Sequence, residues 1–167
     1  FFGTIRRVWN KVSIALSVAG LKHSATLLSH SNQYKSSNLH FDNNSSLAKD
    51  IKNDPDFQAE FNRQVTARNF NKTFSVTFNS NMDMFGSLHN VDARISIVKS
   101  GGKEKYYVRM HDTYDFKYEE EYTTPNGSTM KKAVYPLIMA GNNFAWNDMD
   151  AGVLNSYEIF ISFYIDK

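Results

Sequence analysis

Val91-Asp92-Ala93-Arg94-Ile95-Ser96-Ile97, then Ser100-Gly101-Gly102, then Tyr106-Tyr107-Val108-Arg109-Met110-His111-Asp112 is the stretch on which the fold turns. In its first part Val91, Ala93, Ile95 and Ile97 alternate with Asp92, Arg94 and Ser96, the two-residue period of a strand with one buried face. The paired glycines supply the positive φ that a tight hairpin requires. Tyr106, Val108 and Met110 carry the alternation into a returning strand, which delivers His111 and Asp112 at its end. Those two side chains point to opposite faces, and Arg109 shares the face of His111.

Toward the C-terminus, polarity rises from Lys117 to Lys132, with Glu119, Glu120 and Glu121 in succession and a turn at Pro125-Asn126-Gly127. A hairpin or loop is expected there, its glutamates forming a solvated face. A helix using Phe144, Ala145 and Met149 is expected within Tyr135 to about Val153. The chain closes on alternating Tyr157, Ile159, Ile161, Phe163 and Ile165. So apolar a strand must be an inner or well-paired one, because as a bare edge it would aggregate.

Toward the N-terminus, Phe74, Val76 and Phe78 alternate with Thr73, Ser75 and Thr77, which adds another strand. Asp54-Pro55 reads as a cap followed by proline in the first helical position, and Phe57, Phe61 and Val65 then recur on one face. The spacing predicts a helix from Pro55 to about Arg68, preceded by a short one from Leu47 to Ile51. Residues 32–46 are rich in Ser and Asn and read as a loop. From Thr4 to about Ser31, Ile5, Val8, Trp9, Val12, Leu16, Ala19, Leu27 and Leu28 follow helical spacing, with a break at Gly20. The most apolar part, Val12 to Leu21, is about half the length that crosses a bilayer. It is expected to pack a core; the basic flank of Arg6, Arg7, Lys11 and Lys22 offers a membrane surface as the alternative.

Helices first and strands after give an α+β fold, with N-terminal helices packed on a mostly antiparallel sheet formed by the C-terminal half. At 167 residues one domain is expected, mainly helical over 1–70 and sheet-rich over 71–167. A hydrophobic share of 41% supplies enough apolar surface to offset the ordering entropy, which excludes global disorder. The net charge is only +2, and Lys and Arg are scattered along the chain, so no nucleic-acid partner is expected. The absence of cysteine excludes disulfides, thiolate metal sites and cysteine nucleophiles. A start at Phe1 without methionine or signal peptide reads as a piece of a longer polypeptide, with a carrier upstream.

Chemistry concentrates after the returning strand, where Asp112, Tyr114 and Asp115 fall within four residues. Two carboxylates so close can hold a hard divalent cation, or one can act as base while the other orients it. They equally suit a turn capped by aspartates, with Tyr114 and Phe116 in the core. His89, just before a strand, offers an imidazole, a group type that can serve as base or metal ligand near neutral pH; His111 offers another beside the acidic pair, with Arg109 as a fixed cation two residues before it. His23, His30 and His40 form no metal-ligand spacing.

One order of motifs runs through the chain: Ala25-Thr26-Leu27-Leu28-Ser29-His30-Ser31, Phe78-Asn79-Ser80, Asp83-Met84-Phe85 with Leu88-His89, Asp112-Thr113-Tyr114-Asp115-Phe116, and the closing Tyr157-x-Ile159-x-Ile161. In this order the chain resembles a module found at the C-terminal ends of Rhs-type and related polymorphic toxins. That resemblance implies an antibacterial toxin, secreted by its producer and neutralised there by a cognate immunity protein. It would act in the periplasm or at the cytoplasmic membrane of the target cell.

Asp112-x-Tyr114-Asp115 is also similar to the D-x-Y-D core of colicin M-like enzymes, which hydrolyse lipid II beside its pyrophosphate and need magnesium. The similarity implies Asp112 and Asp115 as catalytic or Mg2+-binding residues and Tyr114 as part of the site. The colicin M motif continues with an asparagine and a His-Arg pair, where this chain has Lys117 and then Glu119-Glu120-Glu121-Tyr122. His89 would then stand in for the missing histidine. A membrane-disrupting toxin without enzymatic activity and a non-enzymatic binding domain are the other two readings.

Overall fold

The computed structural model describes residues 2–117 and 141–167. Beyond Lys117, the hairpin or loop expected from Lys117 to Lys132 lies outside the described residues, as does the start of the helix expected from Tyr135. The chain forms two compact units: one of Phe1–Ser37 with Tyr114–Tyr157, the other of Asn38–Thr113 with Glu158–Lys167.

In the first unit the expected N-terminal helix is two helices, α1 (Phe2–Val18) and α2 (Lys22–Ser31). Gly20, at φ +84°, ends α1 in the left-handed conformation that a side chain resists, and its amide reaches back to the Ser17 carbonyl. The face of α1 carrying Ile5, Trp9, Val12 and Leu16 turns inward. It packs with Leu28 of α2 and with Ala145, Met149, Val153 and Leu154 from the C-terminal half. Trp9 Nε1 donates to Asp148 Oδ2 at 2.7 Å, so the indole is both packed and satisfied.

The Tyr157 hydroxyl, buried, donates to the Leu27 carbonyl at 2.7 Å. Tyr157→Phe removes that donor and takes the hydroxyl bond away from the buried Leu27 carbonyl. The expected result is a loss of about 1–2 kcal/mol in urea unfolding; an unchanged midpoint would mean the bond contributes nothing.

The second unit is built on a five-stranded sheet of order β1-β5-β4-β3-β2. Its elements are β1 (Leu39–Phe41), α3 (Ser46–Asn53), α4 (Pro55–Thr66), β2 (Thr73–Thr77), α5 (Met82–Ser87), β3 (Asn90–Ser100) and β4 (Lys103–Tyr114). After α6 (residues 141–150, in the first unit), β5 (Tyr157–Asp166) completes the sheet. The terminal residues of β4 and β5, Tyr114 and Tyr157, belong to the first unit.

The hairpin between β3 and β4 has Asp92 opposite His111 and Ser100 opposite Lys103, closed by Gly101 (φ +60°) and Gly102 (φ +79°). β2 lies antiparallel to β3, while β1 runs parallel to β5. Side chains paired between β5 and β4 run in opposite chain order, Glu158 with Thr113, Tyr164 with Tyr107 and Asp166 with Lys105, as antiparallel strands require. β5 is therefore an inner strand, as its apolar pattern demanded.

Alternation divides the sheet into two faces. Val76, Ile95, Val108, Ile159 and Phe163 are fully buried on one, where α4 sets Phe57 against Phe163 and Phe61 against Tyr106. Ser45 caps α3, and Asp54 caps α4 by accepting from the Asp56 and Phe57 amides. Asp56 in turn accepts from the Asn79 and Ser80 amides, so the Phe78-Asn79-Ser80 motif serves to anchor the helix start. The opposite face carries His40, Phe160, Tyr164, Arg109, His111, Asp92 and Arg94, all exposed.

The fold is α+β, with helices in the N-terminal part and a mostly antiparallel sheet drawn chiefly from the C-terminal half. Two elements were not expected. β1 lies inside the segment read as a loop, because three residues are too few to show a period and their pairing partner is about 120 positions away. α5 is a single short helix whose signal is its Asn81 cap, which accepts from the Asp83 and Met84 amides.

Candidate functional site

The sequence candidates do not share one face. Arg109 and His111 project from the open side of β4, whereas Asp112 is half-buried on the side of Val108 and Met110. This is the alternation of a strand carried to its end.

His111 has a defined partner. Its Nε2 lies 2.5 Å from Glu158 Oε2, and the Thr113 hydroxyl donates to the same carboxylate at 3.0 Å. The Glu158 amide donates to Asn38 Oδ1, which fixes the start of β5. The imidazole stacks on Phe160 at 5.0 Å, and Phe160 stacks on His40 at 4.9 Å, so the ring is held from its side as well. A carboxylate accepting from Nε2 leaves Nδ1 as the nitrogen that can take a proton, the arrangement by which carboxylates orient catalytic histidines. Arg109 lies two residues before His111, with its guanidinium 5.8 Å from the Tyr107 ring.

The other candidates have different surroundings. Tyr114 is buried, stacked on Tyr157 at 5.1 Å and edge-on to Phe116 at 5.3 Å; burial pushes its hydroxyl pKa up, so it stays protonated at ordinary pH. Asp115 lies beside Lys117, Oδ2 to Nζ 3.7 Å. His89 occupies the turn between α5 and β3 at φ +40°, with its ring 4.5 Å from Phe85 and its carbonyl accepting from the Phe78 amide. A non-glycine residue there carries backbone strain, which histidine tolerates better than branched residues do.

Among the described residues, no three His, Asp or Glu side chains converge as a metal site. Asp112 and Asp115 would each bring one carboxylate.

Glu158, Thr113 and Arg94 were not among the sequence candidates. Glu158 had a signal, being acidic and out of phase with the apolar positions of the last strand. The pairing of β5 with β4, which makes it the partner of His111, had none. Compared with known proteins, the chain matches no family model, no curated protein and no solved structure.

Proposed function

We propose that this chain is an antibacterial toxin module that hydrolyses a phosphate ester or anhydride, with His111 as the acid–base group. The observation that carries this reading is the His111–Glu158 pair on an open sheet face, two residues from an exposed arginine. Water held at Nδ1 gives its proton to the imidazole as its oxygen attacks phosphorus. The bond from phosphorus to the bridging oxygen breaks, and the leaving oxygen takes a proton from the imidazolium or from solvent. Arg109 offsets the charge on the phosphoryl oxygens.

The similarity to colicin M-like enzymes names the substrate, a lipid-linked pyrophosphate such as lipid II. It also implies magnesium, with Asp112 and Asp115 as the residues that the similarity assigns to it. Exposed Arg7 and Lys11 on α1, with Val8, Ile14 and Val18 exposed at 49%, 65% and 84%, would keep the module at an anionic membrane surface where such a substrate lies. No helix of the described residues is long and apolar enough to cross a membrane.

The test is growth of cells carrying the chain in the cytoplasm or exported, alone and with each neighbouring gene. Killing is expected only on export, with rescue by an immunity protein encoded nearby. Asp112→Asn and Asp115→Asn remove charge at nearly constant size, so each should abolish killing while melting as the parent does. A mutant as toxic as the parent removes that aspartate from the mechanism, and equal killing from the cytoplasm rejects the envelope target.

The same exposed apolar residues of α1 favour a second reading, membrane disruption. It requires dye leakage from protein-free liposomes, with His111 dispensable.

A further inference from the structure

Register places Arg94 of β3 directly opposite Arg109 of β4, both on the open face and both exposed. Directly opposed residues have their Cβ atoms about 5 Å apart, and like charges there destabilise a sheet. Among the described residues neither guanidinium has a carboxylate within ion-pair distance. Of the acids on this face, Glu158 is engaged by His111 and Thr113, and Asp166 by Lys105. Asp92 faces His111 across the strands and lies two residues from Arg94. The fold therefore brings together two forked cations that the sequence keeps 15 positions apart, and sets them one step along the strand from His111.

We propose that Arg94 and Arg109 form a clamp for one phosphate group, whose phosphorus is thereby presented to His111. A phosphate oxyanion accepts from both guanidinium forks and cancels the repulsion between them, which explains why the pair is tolerated. Arg94 becomes a substrate-binding residue, and the ligand is a phosphate borne by a pyrophosphate. The chemistry assigned to the bound group rests on the hydrolase reading, whereas the binding itself does not.

The clamp is tested by thermal melting of the full chain with inorganic pyrophosphate, and in parallel with a short polyprenyl pyrophosphate, against sodium chloride of equal ionic strength. Both pyrophosphates should raise the melting temperature saturably, and Arg94→Gln or Arg109→Gln should weaken that binding at least about tenfold. In chloride alone, Arg94→Gln should melt about 1–3 °C above the parent, because it relieves the repulsion. Both variants change exposed side chains, so their fold should persist, and far-ultraviolet circular dichroism checks it.

A rise that chloride reproduces, or one that survives in the double variant, overturns the clamp. Binding of the polyprenyl compound alone, unaffected by either substitution, also overturns it, since recognition would then lie in the lipid tail and elsewhere on the chain. Intact, arginine-dependent binding with no hydrolysis of either pyrophosphate would leave the clamp standing and remove the hydrolase reading instead.

Discussion

Replacing His111 with glutamine should lower hydrolysis of a lipid-linked pyrophosphate by about 10²- to 10⁴-fold, the usual contribution of a positioned acid–base group. Glutamine retains a hydrogen-bond donor for Glu158, so the contact between β4 and β5 is kept while proton transfer is lost. His111 is exposed, and its pair with Glu158 adds little to stability because solvent screens it. Loss of activity should therefore come with an unchanged melting curve. Glu158→Gln is the companion: it leaves the imidazole in place without its orienting charge, so activity should fall less than in His111→Gln. The measurement is release of the pyrophosphate-bearing product from detergent-solubilised substrate at several pH values. Parental rates in His111→Gln would dismiss the histidine, and with it the proposed chemistry of the open face.

The largest effect on stability is expected from Phe163→Ala. Phe163 is fully buried on β5, edge-on to Phe57 of α4 at 5.4 Å, with the Lys52 ammonium 5.7 Å from the ring centre. Truncation removes apolar surface and leaves a cavity between α4 and the sheet, a change that costs about 3–5 kcal/mol. Since small domains are stable by only about 5–15 kcal/mol, the variant should be largely or wholly destabilised at 37 °C. Equilibrium unfolding in urea at 15 °C checks this: the midpoint should fall while the slope stays that of the parent. A loss below about 1 kcal/mol would show that β5 is not the inner strand against which α4 packs.

Much of the fold was legible because it is written in local periods. The alternation Val91 to Ile97, the Gly101-Gly102 turn and the apolar positions of the last strand each dictate which side chains face inward. Two-residue periodicity depends only on backbone geometry. Asp54-Pro55 marked a helix start for an equally local reason, since the carboxylate meets amides two and three residues on. The opposite orientations of His111 and Asp112 followed from the same alternation.

The site was legible only in part, since an interaction between distant segments has no period. By its residue type, His111 could be picked out as a titratable group at a strand end, but its partner Glu158 is 47 residues further along. Arg94 read as one polar position of a strand until register set it across from Arg109. Strand order, with β5 between β1 and β4, was likewise invisible, because a three-residue strand such as Leu39–Phe41 exists only through its hydrogen bonds to β5. The sequence by itself determined the fold class, the turn chemistry and the inward-facing residues, all fixed by short-range sterics and burial. Tertiary structure alone decided which charges meet: lysines and arginines scattered along the chain became an opposed arginine pair beside a carboxylate-held histidine, through the register of strands distant in sequence.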